Sequence, residues 1–139
     1  MRRAAAWRQR TFALLVALLV SATTPPASAH HSIAMFDGKR VVKITGTVTG
    51  FRWINPHVSI RLDVAEGEAP GGPWIVEMQA PTTLMSDGWA RDSLSAGDRI
   101  TLFINPTRDG AASSGPHQGL YVGAILQDGR TLGRVDGSR

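Results

Sequence analysis

The sequence predicts a mainly β protein, a small five-stranded OB-like Greek-key barrel with one short helix between strands 3 and 4, preceded by a cleaved signal peptide. Three observations carry this. Several segments alternate apolar and polar residues with period two. Pro81 interrupts the third of them, and a short helical turn follows. The first 29 residues read as an export leader. The stretch Thr45 to Val64, TGTVTGFRWINPHVSIRLDV, is the clearest. Val58, Ile60, Leu62 and Val64 fall on one face, and His57, Ser59, Arg61 and Asp63 on the other.

Residues 1–29 hold a basic n-region (Arg2, Arg3, Arg8, Arg10), an unbroken apolar core from Phe12 to Val20, and a small-x-small cleavage site at Ala27-Ser28-Ala29. A membrane anchor is the competing reading, but the apolar run is well short of the ~20 residues that span a bilayer. Val20-Ser21-Ala22 offers a second cleavage site. Arg2-Arg3 lacks the usual twin-arginine context, which favours general secretion. The expected location is the periplasm or the cell exterior, with no stable membrane anchor after cleavage. The absence of cysteine rules out disulfides and lipid attachment at a cysteine.

The formal charge of +4, from 15 Lys and Arg against 11 Asp and Glu, belongs to the leader. Four arginines and no acids lie in residues 1–29, so the remaining 110 residues balance eleven bases against eleven acids. One neutral domain of this size follows. A nucleic-acid partner, which wants a basic groove with stacked aromatics, is not expected.

Residues 30–39 form an amino-terminal arm and 40–133 the barrel, with 134–139 a fraying tail. In the barrel, strand 1 runs from about Arg40 to Trp53, with Val42, Ile44 and Val48 sharing a parity. Gly46 and Gly50 remove side chains where a strand bends or another backbone approaches. Pro56 fixes its own φ and keeps Asn55 out of the helical region, so the chain turns at Trp53-Ile54-Asn55-Pro56-His57. Strand 2 is His57 to Val64, and AEGEAPGG (65–72) is a turn-rich loop. Strand 3 is Trp74 to Ala80, with Trp74, Val76, Met78 and Ala80 facing the core. Thr82 or Thr83 is expected to cap a short helix through Leu84 to Asp87. Gly88 is placed as its left-handed terminator, with Trp89 folding back. Ser95-Ala96-Gly97-Asp98 turns into strand 4, Arg99 to Ile104. Strand 5 is Leu120 to Leu126, and the turn at Gln127-Asp128-Gly129-Arg130 leads to a short Thr131-Leu132 extension. This order is that of an OB-type barrel, with another small β-barrel or sandwich as the alternative.

OB barrels bind ligands across strands 2 and 3, beneath the loops joining strands 1–2 and 4–5. Here those loops are 53–57 and 105–118. The candidate ligand-binding residues are therefore Trp53, Asn55, His57 and Arg61. Trp53 serves either as an aromatic shelf or as a cover for the core. Arg52 and Arg61 are expected to form cross-strand ion pairs with Asp63, and Arg108-Asp109-Gly110 reads as turn chemistry before anion binding. Cleavage after Ala29 would expose the α-amino group and imidazole of His30, with His31 beside them. Nitrogen donors in that arrangement suit Cu(II) first, so His30, His31 and His57 are candidate metal ligands and copper is the candidate ion. Ile33, Met35 and Phe36 are read as an apolar lip that pins the arm.

The chain after the leader resembles domain-of-unknown-function family 6152. The resemblance rests on His30-His31-Ser32 with Met35-Phe36-Asp37, Gly46-Thr47-Val48, Trp53-x-Asn55-Pro56-His57, Gly88-Trp89, Leu94-x-x-Gly97-Asp98, Asn105-Pro106-x-Arg108-Asp109-Gly110 and Asp128-Gly129. His117 and the Ala111 to Pro116 segment depart from the pattern. The resemblance implies a small exported bacterial protein and assigns no activity.

Three function classes stay open. A non-catalytic binding or accessory module would use the Trp53–His57–Arg61 face to hold a small ligand or a periplasmic protein. A copper-handling protein would bring the arm to His57. An enzyme is the least supported, because the sequence lacks a Cys nucleophile, a Gly-x-Ser-x-Gly elbow, a His-Glu-x-x-His helix and a phosphate loop.

Overall fold

The computed structural model describes residues 31–65, 67, 69–108 and 115–135. The expected leader and cleavage site, and the anchor weighed against them, fall on residues 1–29, outside that set, as do His30 and the side chain of His31. The chain divides into Met1–His31 and Ser32–Arg139, and the architecture is that of the second unit.

The elements are α1 (His31–Ala34), β1 (Val42–Arg52), β2 (Ser59–Val64), β3 (Gly72–Glu77), α2 (Pro81–Ser86), β4 (Arg99–Pro106), β5 (His117–Ile125) and β6 (Thr131–Gly133). The strands are ordered β3-β2-β1-β4-β5-β6, and a parallel pairing of β3 with β5 closes the first five into a barrel. Four antiparallel pairings and one parallel one, with the helix between β3 and β4, make the expected OB-like Greek-key barrel.

The period-two pattern decides what faces inward. Ile44, Val48, Val58, Ile60, Leu62, Val76, Met78, Ile100, Leu102 and Ile104 are all essentially inaccessible to solvent. The strand-1 glycines act as their chemistry requires. A Cβ on Gly46 would stand 2.6 Å from the Asp63 carbonyl oxygen, so β1 and β2 could not approach as they do with any other residue there. The register slips between Val48 and Gly50. That bulge brings Phe51 to the inner face opposite Ile60 and sends Arg52 outward opposite Ser59.

Several boundaries differ from expectation for local reasons. The helix starts at Pro81 with Ala80 at its N-cap and no side-chain cap bond. Proline at the first helical position already has helical φ and has no N–H to satisfy, so it displaces the expected threonine cap. The C-terminus behaves as predicted. Gly88 has φ +90°, its N–H reaches the Met85 carbonyl, and the Trp89 N–H reaches that of Leu84. This paired closure draws Trp89 over the fully buried Leu84. β3 ends at Glu77, but backbone bonds between Val58 and both Met78 and Gln79 continue the pairing irregularly. β4 takes in Asn105 and Pro106, which were expected to open the following loop. β5 starts at His117 because Trp74 and Ile75 pair with His117 and Gln118, a non-local contact that extends the strand. Of the tail, Arg134 still donates its N–H to the Val122 carbonyl, and 136–139 lie outside the described residues.

The arm is held at the end of β4. Phe36 is 3% exposed and bridges Thr107. The Asp37 N–H donates to Pro106, and the Asn105 amide nitrogen donates to the Arg40 carbonyl at 2.6 Å. Of the expected lip only Phe36 is buried, since Ile33 and Met35 are exposed. Arg108 supplies what those two do not: its Nε donates to the Ala34 carbonyl and its backbone N–H to that of Met35, both at 2.9 Å.

Candidate functional site

One row of the sheet organises the outer surface. Going round the barrel in the hydrogen-bonding direction, Arg52 lies opposite Ser59, Ser59 opposite Glu77, Glu77 opposite Leu120, and Leu120 opposite Asn105. Side chains of directly paired residues share a face, and this row has the outward parity. The outer face of β2 and β3 is thus continuous, bounded on one side by the 53–58 loop.

On it, His57 Nδ1 lies 2.6 Å from Glu77 Oε1, with the two side chains 37% and 28% exposed. The register explains the contact. His57 is two residues before Ser59 on the same parity, and Ser59 faces Glu77. A carboxylate on Nδ1 fixes the ring's orientation and leaves Nε2 as its outward polar atom. Alternation along strand 3 places Glu77 on the face opposite Trp74, Val76 and Met78 and says no more of it. Its partnership with His57 depends on strand register, which residue spacing along one strand does not contain.

Arg52, Arg61 and Asp63 are exposed, and among the described residues they form no ion pair with one another. The expected cross-strand pairs fail on register. Arg61 faces Gly50 and Ile75, Arg52 faces Ser59, and Asp63 faces Thr47 and Pro73, so no carboxylate stands opposite a guanidinium. The Arg61 stem runs over bare backbone, since a Cβ built on Gly50 would be 3.9 Å from its Cβ and Cδ.

Trp53 takes the buried one of its two possible placements. It is 8% exposed and packs edge-on to Phe51 at 5.7 Å. From Phe51 the ring contacts continue to Trp89 and then Tyr121, so this indole belongs to the core. The exposed apolar residue of the loop is Ile54. Asn55 is exposed and joined to Pro56 by a cis peptide.

His117 belongs to β5 and stacks on Trp74, ring centroids 4.9 Å apart, while the Trp74 Nε1–H donates to the Pro70 carbonyl. It is three residues along β5 from Leu120, the partner of Glu77, or ~10 Å at strand spacing. The two imidazoles therefore serve different places. Phe36 is also apart from the His57–Glu77 pair: β4 and β5 lie between it and Glu77 on β3, three interstrand steps of ~4.8 Å. Among the described residues no group of three or more His, Asp or Glu side chains is gathered to hold a metal ion.

A second polar constellation is buried. Trp89 Nε1 donates to the Tyr121 hydroxyl at 3.0 Å, and that hydroxyl donates to the Leu132 carbonyl at 2.9 Å. Burial pushes the Tyr121 phenol up to about 12, the Trp89 bond opposing the shift and the Asp87 charge adding to it. Such a phenol stays protonated at any ordinary pH and is a structural tie. Asp128, held below the usual carboxylate range by the Arg130 backbone and side chain, belongs to the turn before β6.

Neither the curated proteins nor the solved structures compared with the chain gave a match. The sequence model of a family of unknown function, DUF6152, matches residues 17–119, a span that takes in β1 to β4 and the start of β5. That span includes the arm, the Asn55–Pro56 loop, the His57–Glu77 pair and both outward arginines, and the chain belongs to this family.

Proposed function

We propose that the chain is an exported, non-catalytic binding or accessory module whose recognition surface is the outer face of β2 and β3 beside the 53–58 loop. The observation that carries this reading is the His57–Glu77 pair, which orients an imidazole on that face next to two exposed guanidiniums. Export is supported by the basic n-region, apolar core and small-x-small site of residues 1–29. A rigid closed barrel suits a recognition role, since strand-borne side chains are held in fixed register. Two measurements test the reading. Fractionation with mass spectrometry of the exported form should find the protein outside the cytoplasm, beginning at His30. Amide shift mapping with a panel of small polar molecules should move Ser59, Arg61 and Glu77 together. Retention in the cytoplasm refutes export, and shifts confined to other faces refute the surface.

Copper at the amino-terminus is a separate proposal, supported by His30-His31 directly following the cleavage site. The α-amino group and imidazole of His30 chelate without a donor from the barrel, so this site is assigned to the arm alone, with Nε2 of His57 left open. Cu(II) titration of the cleaved protein should saturate at one equivalent and weaken on His30→Ala but not on His57→Ala. Loss on His57→Ala would instead restore a site shared with the barrel.

A further inference from the structure

We infer that the β2 face carries an oxyanion subsite formed by Arg52, Ser59 and Arg61, so that the ligand of this surface bears a carboxylate or phosphate group. The inference rests on the binding-surface reading above and adds the ligand's chemistry to it. Arg52 faces Ser59 directly across the β1–β2 ladder, and Arg61 lies two residues along β2 on the same outward parity. The two arginines are thus diagonal neighbours on one face, roughly 7–8 Å apart and somewhat closer at Cβ, a separation that two flexible forks close onto one anion with the hydroxyl between them. Like charges so placed repel, and strand register supplies no carboxylate opposite either one. The nearest candidate on the row, Glu77, has Oε1 turned to His57 Nδ1. Asp63, two residues beyond Arg61 on the same face, pairs with neither arginine among the described residues and bounds the subsite on that side. The bulge after Val48 is what aims Arg52 outward, and the missing side chain at Gly50 gives the Arg61 stem its track. Guanidinium forks match planar or tetrahedral oxyanions through two parallel N–H bonds.

The test is amide and side-chain Nε shift mapping of the purified full chain with inorganic phosphate, with acetate, and with glycerol as an uncharged comparison. Saturable shifts at Arg52, Ser59 and Arg61 are expected with at least one of the two anions, and which of them saturates identifies the group. Affinity should fall about tenfold on Arg52→Ala or Arg61→Ala, the loss of one charge-assisted partner. Arg61→Lys should recover part of it, and Arg91→Ala, at an exposed arginine outside β1 and β2, should change nothing. An equal loss with Arg91→Ala means general attraction to a cation-bearing surface and overturns the subsite. If neither anion moves these residues but an uncharged molecule does, the subsite is wrong and the binding surface stands. If the face responds to nothing in the wider panel, the surface reading falls as well. Unchanged thermal melts of the variants establish that any loss is not unfolding.

Discussion

Two polar clusters in this barrel use similar chemistry to opposite ends. Around α2, the Trp89 indole, the Tyr121 hydroxyl and the Leu132 carbonyl form a closed chain of hydrogen bonds inside the core. On the outer face of β2 and β3, Glu77 orients His57, but the neighbouring guanidiniums of Arg52 and Arg61 find no carboxylate opposite them. The first cluster satisfies itself and can only hold the fold together. The second leaves hydrogen-bonding capacity directed at solvent, which is what recognition needs and stability does not. Burial of aromatic or titratable groups is therefore a poor guide to function here, and the open valences are the better one.

Stability measurements sharpen that contrast. The largest effect is expected for Leu84→Ala, which empties a fully buried position where α2 closes the barrel. It should cost about 2–5 kcal/mol in urea unfolding, and a near-neutral result would mean that α2 is not part of the cooperative core. Tyr121→Phe should follow at about 1–3 kcal/mol, because it strands the buried Trp89 N–H and removes the donor to Leu132.

The same tyrosine fixes the alkaline limit. Its folded pKa of about 12 lies above the 10.0 of a free tyrosine, so the stability it contributes is complete below pH 10 and is lost as pH rises toward 12. Phenolate absorbance should titrate near pH 12 in the native protein. The stability loss between pH 10 and 12 should shrink in Tyr121→Phe, and equal losses in both proteins would assign the alkaline limit elsewhere.

Effects on the open face should be much smaller. Glu77→Gln is expected to cost no more than about 1 kcal/mol, as for a half-exposed ion pair, while broadening or shifting the His57 ring signals. Arg61→Ala should change stability by less than about 0.5 kcal/mol while weakening anion binding. A large destabilisation on this face would make it structural after all and erase the distinction between the clusters.

The sequence made much of the barrel legible because period-two alternation reports which side of a strand meets the core. The inward residues of β2, β3 and β4 were readable from that pattern alone, and Gly88 announced the helix end because only a residue without Cβ takes its φ cheaply. Pro81 also carried its signal, and the threonine cap was the wrong choice because a proline at the first helical position makes that cap unnecessary. Of the candidate site, the outward placement of His57 and Arg61 was legible. The burial of Trp53 was not, since its position depends on how β1 coils after the bulge.

By itself, then, the sequence determined the strands, their inward and outward faces, the helix with its glycine terminator and the order that an OB-like barrel requires. Tertiary structure alone decided which residues meet across strands. The parallel pairing of β3 with β5, the His57–Glu77 contact, the Trp89–Tyr121–Leu132 chain and the lack of a carboxylate opposite Arg52 and Arg61 among the described residues all depend on register between segments distant in the chain. Alternation fixes the face a residue occupies, but sliding a strand by two residues keeps every face and changes every partner. Only closure of the barrel, with its core packed and its bulge in place, removes that freedom.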